Sequence, residues 1–259
     1  MIAAISFAVL IITLASASLQ DIRSREVSDV HWFIIGAAAV ISMIAAASAF
    51  FTVGRAMICA GTALLLSDIL YEKERPATVS ALFYASVTIM FAVPALTSFD
   101  DPFVRNTITV PICFALFALL YFTGVVKGGA DAKCLMVIAM LFPVYPELLS
   151  FPMIPIPSTI LADAMPFAIA VLFHAAVFSV LAMIPIIVRN VIRRDTKMPN
   201  MFSGYRIHSE KATKAHVWVM NRSEEKDGKV WVTPKIPFIV PITAAALFVA
   251  FVGNVFFLL

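Results

Sequence analysis

Apolar residues along this chain come in long, nearly unbroken runs. They recur neither at every second position, as in a half-buried strand, nor at the 3.6-residue spacing of an amphipathic helix. Runs of about 20 residues are what a helix needs to cross the hydrocarbon of a bilayer. Eight stand out: residues 2–19, 31–51, 53–71, 77–97, 107–126, 132–149, 166–188 and 237–258. The first has no basic segment ahead of it and runs into "LQDIRSREVSD" without a small-residue cleavage site, so it counts as a span and not as a removable signal. The run at 132–149 is the weakest, broken by Pro143 and Pro146. Between the last two runs the pattern changes: "HVWVM" and "KVWVT" are short β-rich stretches separated by polar residues ending in Asp227-Gly228, a hairpin signal. The pattern predicts an all-α polytopic membrane protein of about eight transmembrane helices. It divides into a membrane domain at 1–188, a small, partly β insert at 189–235 and a last helix within 236–259.

Composition agrees. Of the 259 residues, 61% are hydrophobic and only 14% charged, against roughly 25% charged in soluble domains, and mean hydropathy is +0.96. Cys59, Cys113 and Cys134 all lie inside apolar runs and form no C-x-x-C pair, so they read as small core residues and not as a metal site or disulfide framework. The insert, at about 47 residues, is too small for an enzyme domain without staples, and His208 and His216 in it are isolated.

Charge gives sidedness. Of 19 lysines and arginines, 17 fall in the turns around 20–30, 72–76 and 127–133 and in the insert. Only Arg55 and Arg105 lie in the opposite set. The positive-inside rule makes the first set cytoplasmic and puts both termini outside. The end of the seventh run, "RNVIRR", forms a polybasic edge suited to anionic lipid.

That orientation brings two carboxylates to one membrane face: Asp21 at the end of the first run and Asp131 at the start of the sixth. A lone acid at a helix boundary is most often a solvated end charge. Two on the same face, one behind the small residues Gly128, Gly129 and Ala130, point to chemistry. Paired carboxylates can share a proton and divide base and acid roles, which hydrolyses a peptide without a metal or covalent nucleophile. The small residues let an extended substrate approach the backbone. A proton- or ion-coupled transporter using the same carboxylates is the alternative, although carriers place such charges near the bilayer midplane. A non-catalytic membrane scaffold is a third possibility.

Three stretches carry a family resemblance. "GGAD" at 128–131 resembles the G-x-G-D motif of the GxGD aspartyl proteases, which include type IV prepilin peptidases and presenilins. "S-x-Q-D-I-R-S-R-E-V" around Asp21 and "WVTPKIPFIVPIT" at 231–243 are similar to archaeal preflagellin peptidases, in matching order along the chain. The resemblance implies an intramembrane-type aspartyl endopeptidase that removes short basic leaders from archaellin or pilin-like precursors. Asp21 and Asp131 correspond to its catalytic pair, cutting on the cytoplasmic side. Ala130 departs from the motif's usual glycine, where a positive φ would be strained. Eight spans also depart from the usual six, with an extra pair expected at 53–97 or 77–126.

Glu26, Asp29, Glu72 and Glu74 are acids on the cytoplasmic face and candidates to receive a basic leader. Asp29 also fits a carboxylate at a helix N-terminus, Asp68 a satisfied boundary charge, and Lys127 and Lys133 positive-inside anchors. His174 is expected as a hydrogen-bonded interior histidine. The chain lacks the cysteine-rich region of bacterial prepilin peptidases and any dinucleotide loop, so cleavage without methylation is expected, with no cofactor, no metal and no nucleic-acid partner.

Overall fold

The computed structural model describes residues 2–71, 73, 75–157, 164–212, 217–226, 228–234 and 237–258. Helices dominate. In chain order they are α1 (Ile2–Ser24), α2 (Val30–Ser48), α3 (Val53–Leu70), α4 (Ala77–Thr97), α5 (Pro102–Thr107), α6 (Thr109–Phe122), α7 (Gly129–Leu141), α8 (Phe167–Leu181) and α9 (Ile184–Ile192). After the insert comes α12 (Ile239–Phe251) and a 3-10 turn at Val255–Leu258.

Among the described residues, six segments are long and apolar enough to cross a membrane: α1, α2, α3, α4, α5 with α6, and α8 with α9. Ile12, Ile41, Leu82 and Leu96 on their outer faces are exposed, a surface that suits hydrocarbon and would be a liability in water. The chain thus has an all-helical polytopic membrane fold.

The other two predicted spans are helical but short, so among the described residues six of the eight expected spans have full length. Helices α7 and α12 have 13 residues each, about 20 Å at 1.5 Å per residue, against a hydrocarbon core of about 30 Å. Physical causes are visible in both. Pro143 and Pro146 stop α7 at Leu141. Beyond α12, Gly253 adopts φ +108°, a turn suited to glycine. The N–H groups of Met153 and Ile154 then cap Phe251 O and Val252 O at 2.9 and 2.8 Å. The shortfall in length lies in these two helices.

Helix α7 is the centre of the bundle. Ala132 and every residue from Cys134 to Leu141 are buried, so it touches protein on all sides and not lipid. Helices α2, α6 and α8 pack around it. On α1 the buried positions Phe7, Leu10, Leu14, Ala17, Ser18 and Asp21 recur at three- and four-residue steps, one stripe of a helix. Asp21 is the last member of that stripe. Small residues Ala245, Ala246 and Ala250 let α12 approach closely, and Ser18 Oγ lies 2.9 Å from Thr243 Oγ1 across the α1–α12 contact. At the far end of the bundle, the rings of Phe7, Phe142, Phe251 and Phe151 form a chain of tilted and edge contacts 5.2–6.2 Å between centroids.

The insert forms α10 (Asn200–Ser203), β1 (Tyr205–His208), α11 (Ser209–Ala212), β2 (Val217–Lys226) and β3 (Lys229–Pro234). Strands β2 and β3 are the expected hairpin, turned at Gly228 with φ +66°. Strand β1 adds a third, in antiparallel order β1-β3-β2. Buried Asn190 of α9 donates to Met201 O and Gly204 O at 2.9 and 2.6 Å, tying the sheet to the membrane helix.

Candidate active site

Asp21 and Asp131 line one cavity of about 790 Å³. Its walls are the end of α1, the loop at 125–131, one face of α8 at Leu172, Ala176 and Ser179, and the entry to α12 at Pro237–Ile239. That volume is in the range of ligand-binding clefts and would admit several residues of an extended peptide.

Gly128 caps α7 in extended conformation (φ −92°, ψ 122°). Its carbonyl accepts the N–H groups of Asp131 and Ala132 at 3.1 and 3.2 Å, which folds the Asp131 carboxyl back over Gly128. A Cβ at 128 would lie 2.8 Å from Asp131 Cγ and closer still to its oxygen. A side chain here would force the Asp131 carboxyl to shift. Gly129 is different: a Cβ there would meet Tyr121 Oη at an ordinary 3.6 Å. Ala130 already lies in the first turn of α7, and positive φ occurs elsewhere, at Arg25, Leu149 and Arg194 among the non-glycine residues described. The strain expected at Ala130 is therefore absent.

Asp131 lies ahead of the apolar body of α7, outside the six long spans. Burial pushes its carboxyl up to about 7, and the negative charge of Asp21 pushes in the same direction. The N-terminus of α7 favours an anion there, but desolvation wins. Asp21 has different company: the guanidinium of Arg25 and the backbone N–H of Ile239, at the mouth of α12, both face its carboxylate. Burial acts on both acids, and they differ in their neighbours.

Arg25 carried no role in the sequence and has one in the structure. It ends α1 in the left-handed region, φ 60°, with its N–H on Asp21 O at 3.0 Å, a conformation that costs a non-glycine residue on the order of 1–3 kcal/mol. Its Nε and Nη1 are buried without a hydrogen-bond partner among the described residues, and the side chain lines the cavity. The spacing Asp21-x-x-x-Arg25, one helical turn, was the available signal. Ile239 had none, because a backbone donor leaves no mark in sequence.

The other candidates separate cleanly. Glu26 is exposed and lines the cavity. Asp29 does not: Lys133 Nζ sits 2.8 and 2.9 Å from its two carboxylate oxygens, pinning the start of α2 to α7. Glu72 and Glu74 lie outside the described residues. Asp68 is paired with Arg75 and accepts from Tyr84 Oη at 2.9 Å. Arg75 itself is held between the rings of Tyr71 and Phe83 at 4.4 and 4.5 Å. His174 is buried with Nδ1 2.8 Å from Ala170 O. Among the described residues, no three His, Cys, Asp or Glu side chains converge as a metal site would require.

No model of a protein family matches the chain. Two preflagellin peptidases do. That of Methanocaldococcus jannaschii is 24% identical over 272 aligned positions, covering 96% of this chain and 94% of that protein. That of Methanococcus maripaludis is 22% identical over 262, covering 92% and 90%. The likeness runs from α1 through α7 to α12 and leaves neither chain with a large unmatched part. Matched over nearly its whole length in this way, the chain is similar to archaeal preflagellin peptidases.

Proposed function

We propose that the chain is a membrane aspartyl endopeptidase that removes short basic leaders from archaellin or type IV pilin-like precursors at the cytoplasmic membrane face. The observation that carries this is the meeting of Asp21 and Asp131 in one peptide-sized cavity, with the Asp131 carboxyl held near pH 7. Asp21, faced by Arg25 and the Ile239 N–H, is the base: it takes a proton from water as the water oxygen attacks the scissile carbonyl carbon. Asp131 is the acid and gives its proton to the carbonyl oxygen. Collapse of the tetrahedral intermediate breaks the C–N bond: Asp131 takes back the proton of one hydroxyl as the carbonyl re-forms, and the proton held by Asp21 passes to the leaving amine. Arg25, with two nitrogens free to donate into the cavity, holds a substrate carbonyl in place. Glu26 at the cavity edge receives the basic leader, whereas Asp29 is spent on Lys133 and is not free for that role. The charge distribution of the loops supports the cytoplasmic orientation, with both termini outside.

The deciding experiment mixes detergent-solubilised protein with an archaellin-like precursor and locates the cut by mass spectrometry. A single cut after the Lys/Arg leader is expected; an intact precursor, or cuts scattered elsewhere, would overturn the assignment. Glu26→Lys should raise KM for a Lys/Arg leader about fivefold or more, the effect of roughly 1 kcal/mol of lost attraction, while leaving an uncharged leader unaffected. Equal KM values for both leaders in that variant would remove Glu26 from the site.

The pH profile is a second test. The general acid must carry its proton, and Asp131 holds one up to about pH 7. Cleavage is therefore expected to fall as pH rises through about 7, tenfold per unit on the steep limb. As the two carboxylates interact, the midpoint belongs to the pair and not to one residue. A rate that stays flat from pH 6 to 9 would exclude Asp131 as the acid.

A further inference from the structure

A second cavity, of about 490 Å³, lies away from the aspartates, where the end of the α8–α9 segment meets the sheet of the insert. Three separate elements send cations to it: Arg189 and Arg193 from the end of α9, Arg206 and His208 from β1, and Lys229 from β3. One carboxylate, Asp195, faces them, and its oxygen lies 3.9 Å from Arg206 Nη1. That distance is the outer limit of an ion pair, so among the described residues lining the cavity one acid stands against four permanent positive charges. Arg206 is the built part of the site. Its side chain is only 18% exposed, stacks 5.7 Å over the ring of Trp231, and keeps Nε buried without a partner among the described residues. Arg189 lies 4.8 Å over the ring of Tyr205. Aromatic faces fix the two guanidinium planes without consuming their N–H donors.

Cations at a helix C-terminus are ordinarily explained by the helix dipole. That accounts for Arg189 and Arg193 but not for Arg206 and Lys229, which come from strands. The surroundings point to the ligand's nature. Ile184, Val188, Val191 and Ile192 expose an apolar face on α9, with Arg189 and Arg193 one turn apart on the opposite side. The cavity therefore sits where a hydrocarbon-facing helix surfaces.

We propose that this cavity binds a phosphate-bearing anion, and that the source is the headgroup of an anionic phospholipid. Guanidinium groups match phosphate oxygens in pairs of N–H donors, and the exposed apolar face of α9 lies beside the acyl chains. The site clamps the sheet of the insert to the membrane surface. It uses none of the residues that line the aspartate cavity, so it stands or falls independently of the peptidase assignment.

The test uses the full chain in nanodiscs of phosphatidylcholine with increasing phosphatidylglycerol, with retained lipid counted by native mass spectrometry. Phosphatidylglycerol should be retained in preference to phosphatidylcholine, and Arg206→Gln should weaken retention about fivefold, the effect of removing one basic side chain at a membrane surface. Lys229→Gln, at the exposed rim, provides the same test in a variant whose packing is untouched. Inorganic phosphate at millimolar concentration is the competing arm. If it displaces the lipid or raises the melting temperature as much as phosphatidylglycerol does, the ligand is a soluble phosphate and the lipid assignment fails. If both variants retain phosphatidylglycerol as wild type does, the cavity is not the site.

Discussion

Asp131→Asn protein will leave a basic-leader precursor uncut, its rate lower by roughly 100- to 10,000-fold, the usual contribution of a positioned proton donor or acceptor. The substitution is conservative in every other respect. Below about pH 7 the Asp131 carboxyl is already neutral, so a neutral amide of the same shape can occupy the place beneath Gly128 without burying a new charge. What it cannot do is give up a proton to the scissile carbonyl oxygen. Asp21→Asn should cost as much for the converse reason: the N–H of Ile239 can still bond the side-chain oxygen, but water loses its base. Because the two act on one reaction coordinate, the double variant should be hardly worse than either single one. Cleavage by either folded single variant within about tenfold of wild type would return both residues to the status of boundary charges and bring the ion-coupled carrier forward.

Gly128→Ala should abolish cleavage almost as completely, by at least about 100-fold, while Gly129→Ala remains near wild type. The two glycines are adjacent, and sequence gives no reason to separate them. Geometry does. A Cβ at 128 overlaps the Asp131 carboxyl, and the carboxyl must move because the Gly128 carbonyl beside it is held by two N–H donors of the first turn. Displacement of a reacting group by about 1 Å costs roughly 100-fold in rate. At 129 the nearest atom is the Tyr121 hydroxyl, at a normal contact distance. Melting temperatures close to wild type for both proteins, with activity lost in one, are the expected outcome. Comparable activity in the two would mean that the carboxyl is not seated against Gly128 during turnover.

The six long helices were legible as apolar runs because hydrocarbon leaves a helix no need for a polar face, and nothing else produces 20 such residues together. The same absence of period hid how short the other two are. A fully buried helix such as α7 looks just like a lipid-facing one, since both are apolar all round, and the end of α7 is marked only by Pro143. Around the site, the family motifs singled out Asp21 and Asp131. Periodicity would have found Asp21 as the end of the α1 stripe, but would have called it core. The pairing of Lys133 with Asp29 joins residues 104 positions apart, and the stretch between them contains no trace of it. Strand β1 was missed because four residues, Tyr205 to His208, are too few for alternation to register against their neighbours.

Asp21 is synthesised long before its backbone donor, Ile239. Throughout synthesis the carboxylate waits without the amide that will face it, and one wall of the cavity is missing until Pro237–Ile239 arrives. A chain made only as far as α7 already carries both aspartates. It acquires a finished cleft only when the closing helix is in place. The order of the chain thus leaves the cleft unfinished until the segment at Pro237–Ile239 has been made.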